Sequence, residues 1–209
     1  MESSSHKSPT RFLLIIVTLL MLPAWAQLPD ISVQKTMPIN LDADSSEFDR
    51  KNNTLFFRGL HITQGIFGIK ADEATAARLD FENSRWVFTG NVVIESQDAK
   101  AYSDRAEVLF EEHRVKNAIM HGTPVQFAQV SSETGKKTEG RANVMEYDLA
   151  SGVIRMSEDA WLSDGANEVS GNRISYDLIS EYIIADSDES GPVRMKINPP
   201  QNNDAESAP

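Results

Sequence analysis

The sequence predicts an all-β fold built from repeated antiparallel strand units, and three observations carry that reading. First, five short stretches share one pattern: a small residue, then Asp or Asn, with a ring at the sixth position in three of them. They are 43–48, 71–76, 103–108, 142–147 and 171–176, with Asp44, Asp72, Asp104, Asn143 and Asn172 in second place. These positions recur every 28 to 39 residues, and self-similarity at such a period means stacked supersecondary units. Second, apolar and polar residues alternate, so that Leu55 and Phe57 share one face, as do Trp86 and Phe88. Alternation of this kind marks a half-buried strand. Third, no stretch of the repeat region has the length and spacing of a strong helix. The nearest, 104–114 with Ala106, Leu109 and Phe110 at helical spacing, is read as strand because its counterparts in the repeat are strand-like.

The elements follow in chain order. Lys7 and Arg11 precede an apolar run from Phe12 to Leu22, and Ala24-Trp25-Ala26 follows it. This is the pattern of an export signal over 1–26, with an apolar run too short to span a bilayer comfortably. A retained N-terminal anchor is the alternative. A leader, 27–37, carries Pro29 and leads to Pro38. The folded domain is expected over 38–198, with Ile39 to Leu41 as its first strand. The strand through Leu55 and Phe57 meets Gly59 and resumes at Ile62. The strand through Trp86 and Phe88 meets Gly90 and resumes at Val92-Val93-Ile94. Gly inside such a run marks a bulge or bend. The repeated Asp or Asn is read as a turn residue that opens the next strand by bonding nearby backbone N–H groups. Asn52-Asn53-Thr54 is read as a hairpin tip, Gly122-Thr123-Pro124 as a turn, and 131–137 as a long hairpin loop. Tyr182-Ile183-Ile184 and Val193 to Ile197 are the last strands, with the acidic stretch 186–189 and Gly191-Pro192 between them. The segment 199–209 has the composition of a disordered tail.

Charge and composition narrow the function. The chain carries a net −11, and removal of Lys7, Arg11 and Glu2 with the signal leaves it one charge more negative. Nucleic acid is therefore not an expected partner, since Lys and Arg must neutralise phosphates. Nor is there a polybasic patch for anionic membranes. The chain has no Cys, which removes thiolate chemistry and disulfides. His6, His61, His113 and His121 have no metal-ligand spacing, and no nucleophile elbow or phosphate-binding glycine loop is present. Glu111-Glu112 reads as a solvated face. One carboxylate per repeat fits a turn better than a calcium site. No catalytic residue, metal or cofactor is expected.

Several motifs, taken in order, resemble the periplasmic lipopolysaccharide-transport proteins of the LptA/OstA type. They are Pro38-Ile39-Asn40-Leu41 with Ala43-Asp44, Leu55-Phe56-Phe57-Arg58-Gly59, Thr63-Gln64-Gly65, Ile69-Lys70-Ala71-Asp72 and Phe88-Thr89-Gly90-Asn91-Val92. Thr138-Glu139-Gly140, Met145-Glu146-Tyr147 and Gly171-Asn172-Arg173-Ile174-Ser175-Tyr176 extend the likeness. The resemblance spans about Pro38 to Ile197. The chain departs from the family pattern after Gly59, where 60–65 is one residue short, and near 79–101, where an extra unit is expected.

The resemblance implies an open, twisted β-jellyroll of two antiparallel sheets that carries lipopolysaccharide without catalysing a reaction. The lipid A acyl chains would lie between the sheets, against Ile39, Leu41, Leu55, Phe57, Trp86, Phe88, Met145, Tyr147, Met156, Trp161, Ile174 and Tyr176. From the residues alone, the same inward set equally describes a dry core. The resemblance also implies self-association head to tail through edge strands, with Ile39 and Leu41 at one edge and Ile183, Val193, Met195 and Ile197 at the other. Such a bridge would join an inner-membrane anchored transport partner to an outer-membrane translocon. Arg58, Arg85 and Lys70 are candidates for pairing with lipid phosphates, although each also reads as an ordinary exposed strand residue.

Overall fold

The architecture follows from strands that are too long to stay straight. The computed structural model describes residues 37–77, 81–96, 98–132, 134–187 and 191–199. The expected signal, most of the leader, the tail beyond 199 and parts of the 79–101 and 186–189 segments lie outside the described residues. Twelve strands form one antiparallel sheet: β1 (Asn40–Asp42), β2 (Ser45–Asp49), β3 (Thr54–Gln64), β4 (Phe67–Ala76), β5 (Asn83–Glu95), β6 (Ala99–Glu111), β7 (Arg114–Val130), β8 (Lys137–Asp148), β9 (Val153–Ser163), β10 (Asn167–Asp177), β11 (Tyr182–Asp186) and β12 (Arg194–Ile197). β3 to β10 pair in sequence order. β1 and β2 both pair with β3, and β11 and β12 both pair with β10. The stretch 104–111 is strand, as the repeat requires. The fold is the all-β jellyroll expected, one hydrogen-bonded sheet that serves as two.

A row of irregularities crosses the whole sheet and divides it into two leaves. Asp44 and Gly59 stand opposite each other, as do Gly59 and Asp72, from the registers on either side. The row continues through register shifts at 70–73 against 89–93, at 102–105, at 121–125, at 141–144 and at 171–173. Every second strand brings one of the five repeated residues to this row. Of the intervening strands, β3, β5 and β9 bring left-handed backbone: Gly59, Gly90 and Asn91, then Glu158 and Asp159. The repeated Asp or Asn is therefore not a turn residue. Asp72, Asp104, Asn143 and Asn172 lie in mid-strand at the bend, and Asp44 lies at the same row between β1 and β2. The segment Gly122-Thr123-Pro124 is likewise no turn; it is the irregularity of β7 in the same row.

The sequence repeat has a direct physical cause here. A Cβ on Gly90 would lie 2.6 Å from an Asp72 carboxylate oxygen, and one on Gly59 would strike the Asp44 carboxylate. Each acid fills the space that the facing glycine leaves empty. Asn91 Nδ2 also donates to Asp72 Oδ2 at 2.8 Å, and Thr123 Oγ1 donates to Asp104 Oδ2 at 3.4 Å.

An extra residue also switches side-chain parity, because the strand period is two. In β3 the buried residues are Phe57 before the bend and Leu60, Ile62 and Gln64 after it. In β4 they are Ile69 and Ala71, then Ala74 and Ala76, whereas β5 and β9, each with two positive-φ residues at the bend, keep their parity from Phe88 to Val92 and from Met156 to Ala160. Either count keeps one apolar face throughout, and the bend folds that face onto itself. The first leaf is centred on Trp86, which stacks on Phe57, Phe81 and Phe88 with ring centroids 5.6, 5.1 and 6.2 Å away. The leaves meet at Tyr176 of the first and Phe127 of the second, 6.4 Å apart, where Tyr176 Oη donates to Gln129 Oε1 at 3.1 Å.

The hairpin turns are held by a different set of acids, those that follow the ring in the repeat. Asp49 accepts from the backbone N–H of Lys51 and Asn52, Asp148 from Ala150 and Ser151, and Asp177 from Ile179 and Ser180. Asp164 does the same for Ala166 and Asn167. At the 112–113 turn, Glu112 and His113 both adopt positive φ, the conformation of a two-residue hairpin turn whose twist matches the strands.

Two outcomes are expected. Gly90→Ala should cost at least about 1–2 kcal/mol, from left-handed strain plus the collision with Asp72. Gly135→Ala, at φ 67° with nothing near its Cβ, meets the strain alone and should cost less; urea titration of both variants checks the order. The second concerns pH. The Asn52 side chain and backbone N–H hold the Asp49 carboxyl below its ordinary 3.8, and backbone N–H groups of Ser180 and Ile179 do so for Asp177. A folded-state value below the unfolded one gives stability that is whole above the ordinary value and is lost as pH falls through the folded one. The melting temperature should hold between about pH 7 and 5 and drop below about pH 4, with a smaller drop in Asp177→Asn by scanning calorimetry.

Candidate functional site

The apolar face enclosed by the two leaves gathers nearly all the residues singled out from the sequence. Trp86, Phe88, Met145, Met156 and Ile174 are fully enclosed, and Phe57 and Tyr176 nearly so. Ile39, Leu41, Leu55 and Tyr147 are half-buried and pack against the same cluster. Burial raises the Tyr147 hydroxyl above the ordinary 10.0, and the neighbouring Asp148 adds to it; the phenol stays neutral in an apolar surrounding.

Trp161 is the exception. It lies on the outer face of the second leaf, between Ala160 and Leu162, which point inward. The double left-handed bend at Glu158 and Asp159 adds two residues and so keeps the parity of β9: Met156, Ala160 and Leu162 all point inward, and Trp161 points out. Outside, the Arg141 guanidinium sits 4.7 Å over its ring, and its Nε1 donates to Glu168 Oε2 at 3.3 Å. Arg58, Arg85 and Lys70 also lie on the outer face, paired with Glu73, Glu107 and Glu95. They are ordinary members of a cross-strand ion-pair surface, where each exposed pair contributes about 0–1 kcal/mol.

The interior is closed in the middle and open at its ends. Between the leaves, Ile94, Ala101 and Phe127 of the second face Met120, Met145 and Ile154 of the first around a cavity of ≈ 20 Å³. That is room for about one water molecule. At the last edge, Ile183 stands opposite Tyr176, Met195 opposite Val169 and Ile197 opposite Asn167. These three apolar side chains belong to the inward face, yet Met195 is 70% and Ile197 72% exposed. At the first edge, Phe48 stands opposite Leu55, also facing inward, and is 49% exposed. The apolar interior therefore reaches solvent past the edge strands. Sequence reasoning missed Phe48; its place as the ring of the first repeat, equivalent to Tyr147 and Tyr176, was the available signal.

Among the described residues, no group of His, Asp and Glu gathers with a spacing that holds a metal ion. The class defined by this geometry is an open-ended β-jellyroll with a continuous apolar lining. Residues 69–182 match the family described as LptA/(LptD N-terminal domain) LPS transport protein, and the chain belongs to that family.

Relatives agree with this assignment. The lipopolysaccharide export system protein LptA of Escherichia coli K12 is 25% identical over 184 residues, which cover 88% of this chain and 80% of the relative. The protein of the same name from Haemophilus influenzae is 29% identical over 126 residues, 59% of this chain and 73% of the relative. Among solved structures, LptH from Pseudomonas aeruginosa, described as the LptA homologous periplasmic component of the lipopolysaccharide transport device, superposes with a TM-score of 0.52. It does so at 17% identity, over 79% of this chain and 99% of that one. This last likeness bears on the fold.

The opposite facing of Trp86 and Trp161 makes a sharp prediction. Trp86→Ala should cost about 3–5 kcal/mol, as for an enclosed aromatic. Trp161→Ala should cost about 1 kcal/mol, the scale of its exposed contact with the guanidinium. Equal losses in chemical denaturation would place both indoles in the core.

Proposed function

We propose that this chain holds the acyl chains of lipopolysaccharide between its two leaves and passes the lipid across the periplasm as one unit of a head-to-tail protein bridge. The observation that carries the reading is the inward apolar lining that runs out uncovered past both edges. A lining that served only as a core would end under a polar or covered edge. Here Phe48 ends it on one side, and Ile183, Met195 and Ile197 on the other. Each CH₂ of an acyl chain moved from water into such a lining contributes about 0.8 kcal/mol. The protein's net charge supplies no long-range attraction to anionic lipid, so hydrophobic burial is the driving force.

The cavity of ≈ 20 Å³ is far too small for an acyl chain. Loading therefore requires the leaves to part, exchanging contacts such as that between Phe127 and Tyr176 for contacts with lipid. β1 and β2 at one edge, and β11 and β12 at the other, leave one row of backbone donors and acceptors each for a further strand. A second copy continues both the hydrogen bonding and the apolar lining. Ile39 and Leu41 then belong to the edge facing an inner-membrane anchored partner, and Val193, Met195 and Ile197 to the edge facing the next jellyroll or an outer-membrane translocon.

Photo-crosslinking from Met145 and Tyr147 tests the cargo. It should capture lipopolysaccharide, whereas a probe at Arg155 on the outer face should not; capture from both faces alike contradicts an interior site. Met195→Pro tests the edge. It removes a backbone donor from a strand that few internal contacts depend on, so the variant should remain folded and lose head-to-tail oligomers at least about tenfold in sedimentation. Oligomers of wild-type strength would remove β12 from the interface.

A further inference from the structure

The outer face of the second leaf carries a hollow of ≈ 420 Å³ that the interior site does not use. We propose that this hollow binds an anionic sugar, held between the guanidinium groups of Arg141 and Arg194 over a floor of Trp161 and Ser170. These four residues form one cross-strand row. Arg141 stands opposite Trp161, Trp161 opposite Ser170, and Ser170 opposite Arg194. At the usual strand spacing the two arginine backbones are about 14 Å apart, a span that two long side chains close over a single ring-sized ligand. Asp159, from the bend in β9, and Pro192 complete the wall.

The charges favour an anion. Neighbouring cations on this face are neutralised: Lys136 by Asp164, Lys137 by Glu139 and Lys196 by Glu168. Arg141 and Arg194 form no ion pair among the described residues, in a chain of net charge −11. Guanidinium groups bind carboxylate and phosphate oxygens in a bidentate manner. Glu168 anchors the Trp161 indole and Trp161 supports Arg141, so one of the two forks is preorganised.

The remaining chemistry favours a sugar over a bare anion. Asp159 repels an isolated anion but accepts hydrogen bonds from hydroxyl groups, and Ser170 offers both a donor and an acceptor. The hollow has the volume of a small-molecule site. It lies on the opposite side of the leaf from the acyl lining, so the assignment does not depend on the interior holding lipid. The sugar has two possible sources, the headgroup of lipopolysaccharide or a free sugar phosphate or sugar acid.

Calorimetric titration of the full chain tests the site. The probes are the deacylated, phosphorylated oligosaccharide of lipopolysaccharide, a neutral dextran oligosaccharide, sodium phosphate and intact lipopolysaccharide. The phosphorylated oligosaccharide should bind one to one. R141Q combined with R194Q should weaken that binding at least about tenfold with the melting temperature unchanged. If intact lipopolysaccharide loses the same factor, the headgroup is the source; if it binds as before, a free anionic sugar is. Either result supports the site. Equal binding by the variant, no binding of the oligosaccharide, or equally tight binding of dextran or phosphate overturns it. In the unmodified protein, the Trp161 indole N–H resonance should shift during the titration while that of Trp86 stays fixed; an unmoved Trp161 also overturns the proposal.

Discussion

A β-strand that bends sharply keeps its apolar side inward only if residues are added at the bend, one with a change of side-chain parity or two without it. Everything else in this structure depends on how that constraint is met. Eight of the strands run through two leaves, and each meets an irregularity on a single row across the sheet. An extra residue at the row bends the strand and moves its buried set from one parity to the other. Phe57 gives way to Leu60, and Ala71 to Ala74, while β5 and β9 add two residues and keep their parity. The sheet thus folds over while staying one sheet, its ladder interrupted only at the row, and encloses an apolar lining along its length. Residues that tolerate positive φ alternate on this row with short acids and amides, which occupy the space beside them. The sequence repeat is the trace of that row.

Much of this was legible before any coordinates. The period of Asp44, Asp72, Asp104, Asn143 and Asn172 and the alternation around Trp86 and Phe88 are enough for an all-β repeat with an apolar interior. What was misread is instructive. Asp and Asn occupy both bends and turns, for related reasons of local hydrogen bonding, so the repeated acid was assigned to the turn. The turn belongs instead to Asp49, Asp148 and Asp177, a few residues further on. Trp161 was misplaced because the bend in β9 adds two residues where that in β3 adds one. Glycine announces the bends in β3 and β5, but the bend in β9 is made by Glu158 and Asp159, whose side chains give no such signal. Two residues are added there, so the parity of Met156 carries through to Ala160 and Leu162, and placing Trp161 on the face of Met156 assumes a switch that β9 does not make. The exposed inward side chains at the edges were also beyond sequence reasoning, because alternation gives the face of a residue and not what covers it.

The lining is closed at rest and uncovered at its ends. These two properties fit a carrier that receives its cargo by separating two leaves that share one row of bends. The row gives such a motion a fixed axis, since the backbone there is already irregular and few ladder hydrogen bonds cross it. The apolar contacts between Phe127 and Tyr176, and the hydrogen bond from Tyr176 to Gln129, are what the motion must release. An acyl chain bound as proposed would offer replacement contacts of the same kind, which would link opening to loading.

The chain's lack of cysteine allows that link to be measured cleanly. Cysteines placed at Gln129 and Tyr176, one on each leaf, can be joined by a short reducible bis-methanethiosulfonate linker and the binding of lipopolysaccharide measured before and after reduction. The account predicts that the bridged protein stays folded, fails to bind, and regains binding when the linker is cleaved. Equal binding by the bridged and the reduced protein would contradict it, because the lipid would then be held without the leaves parting.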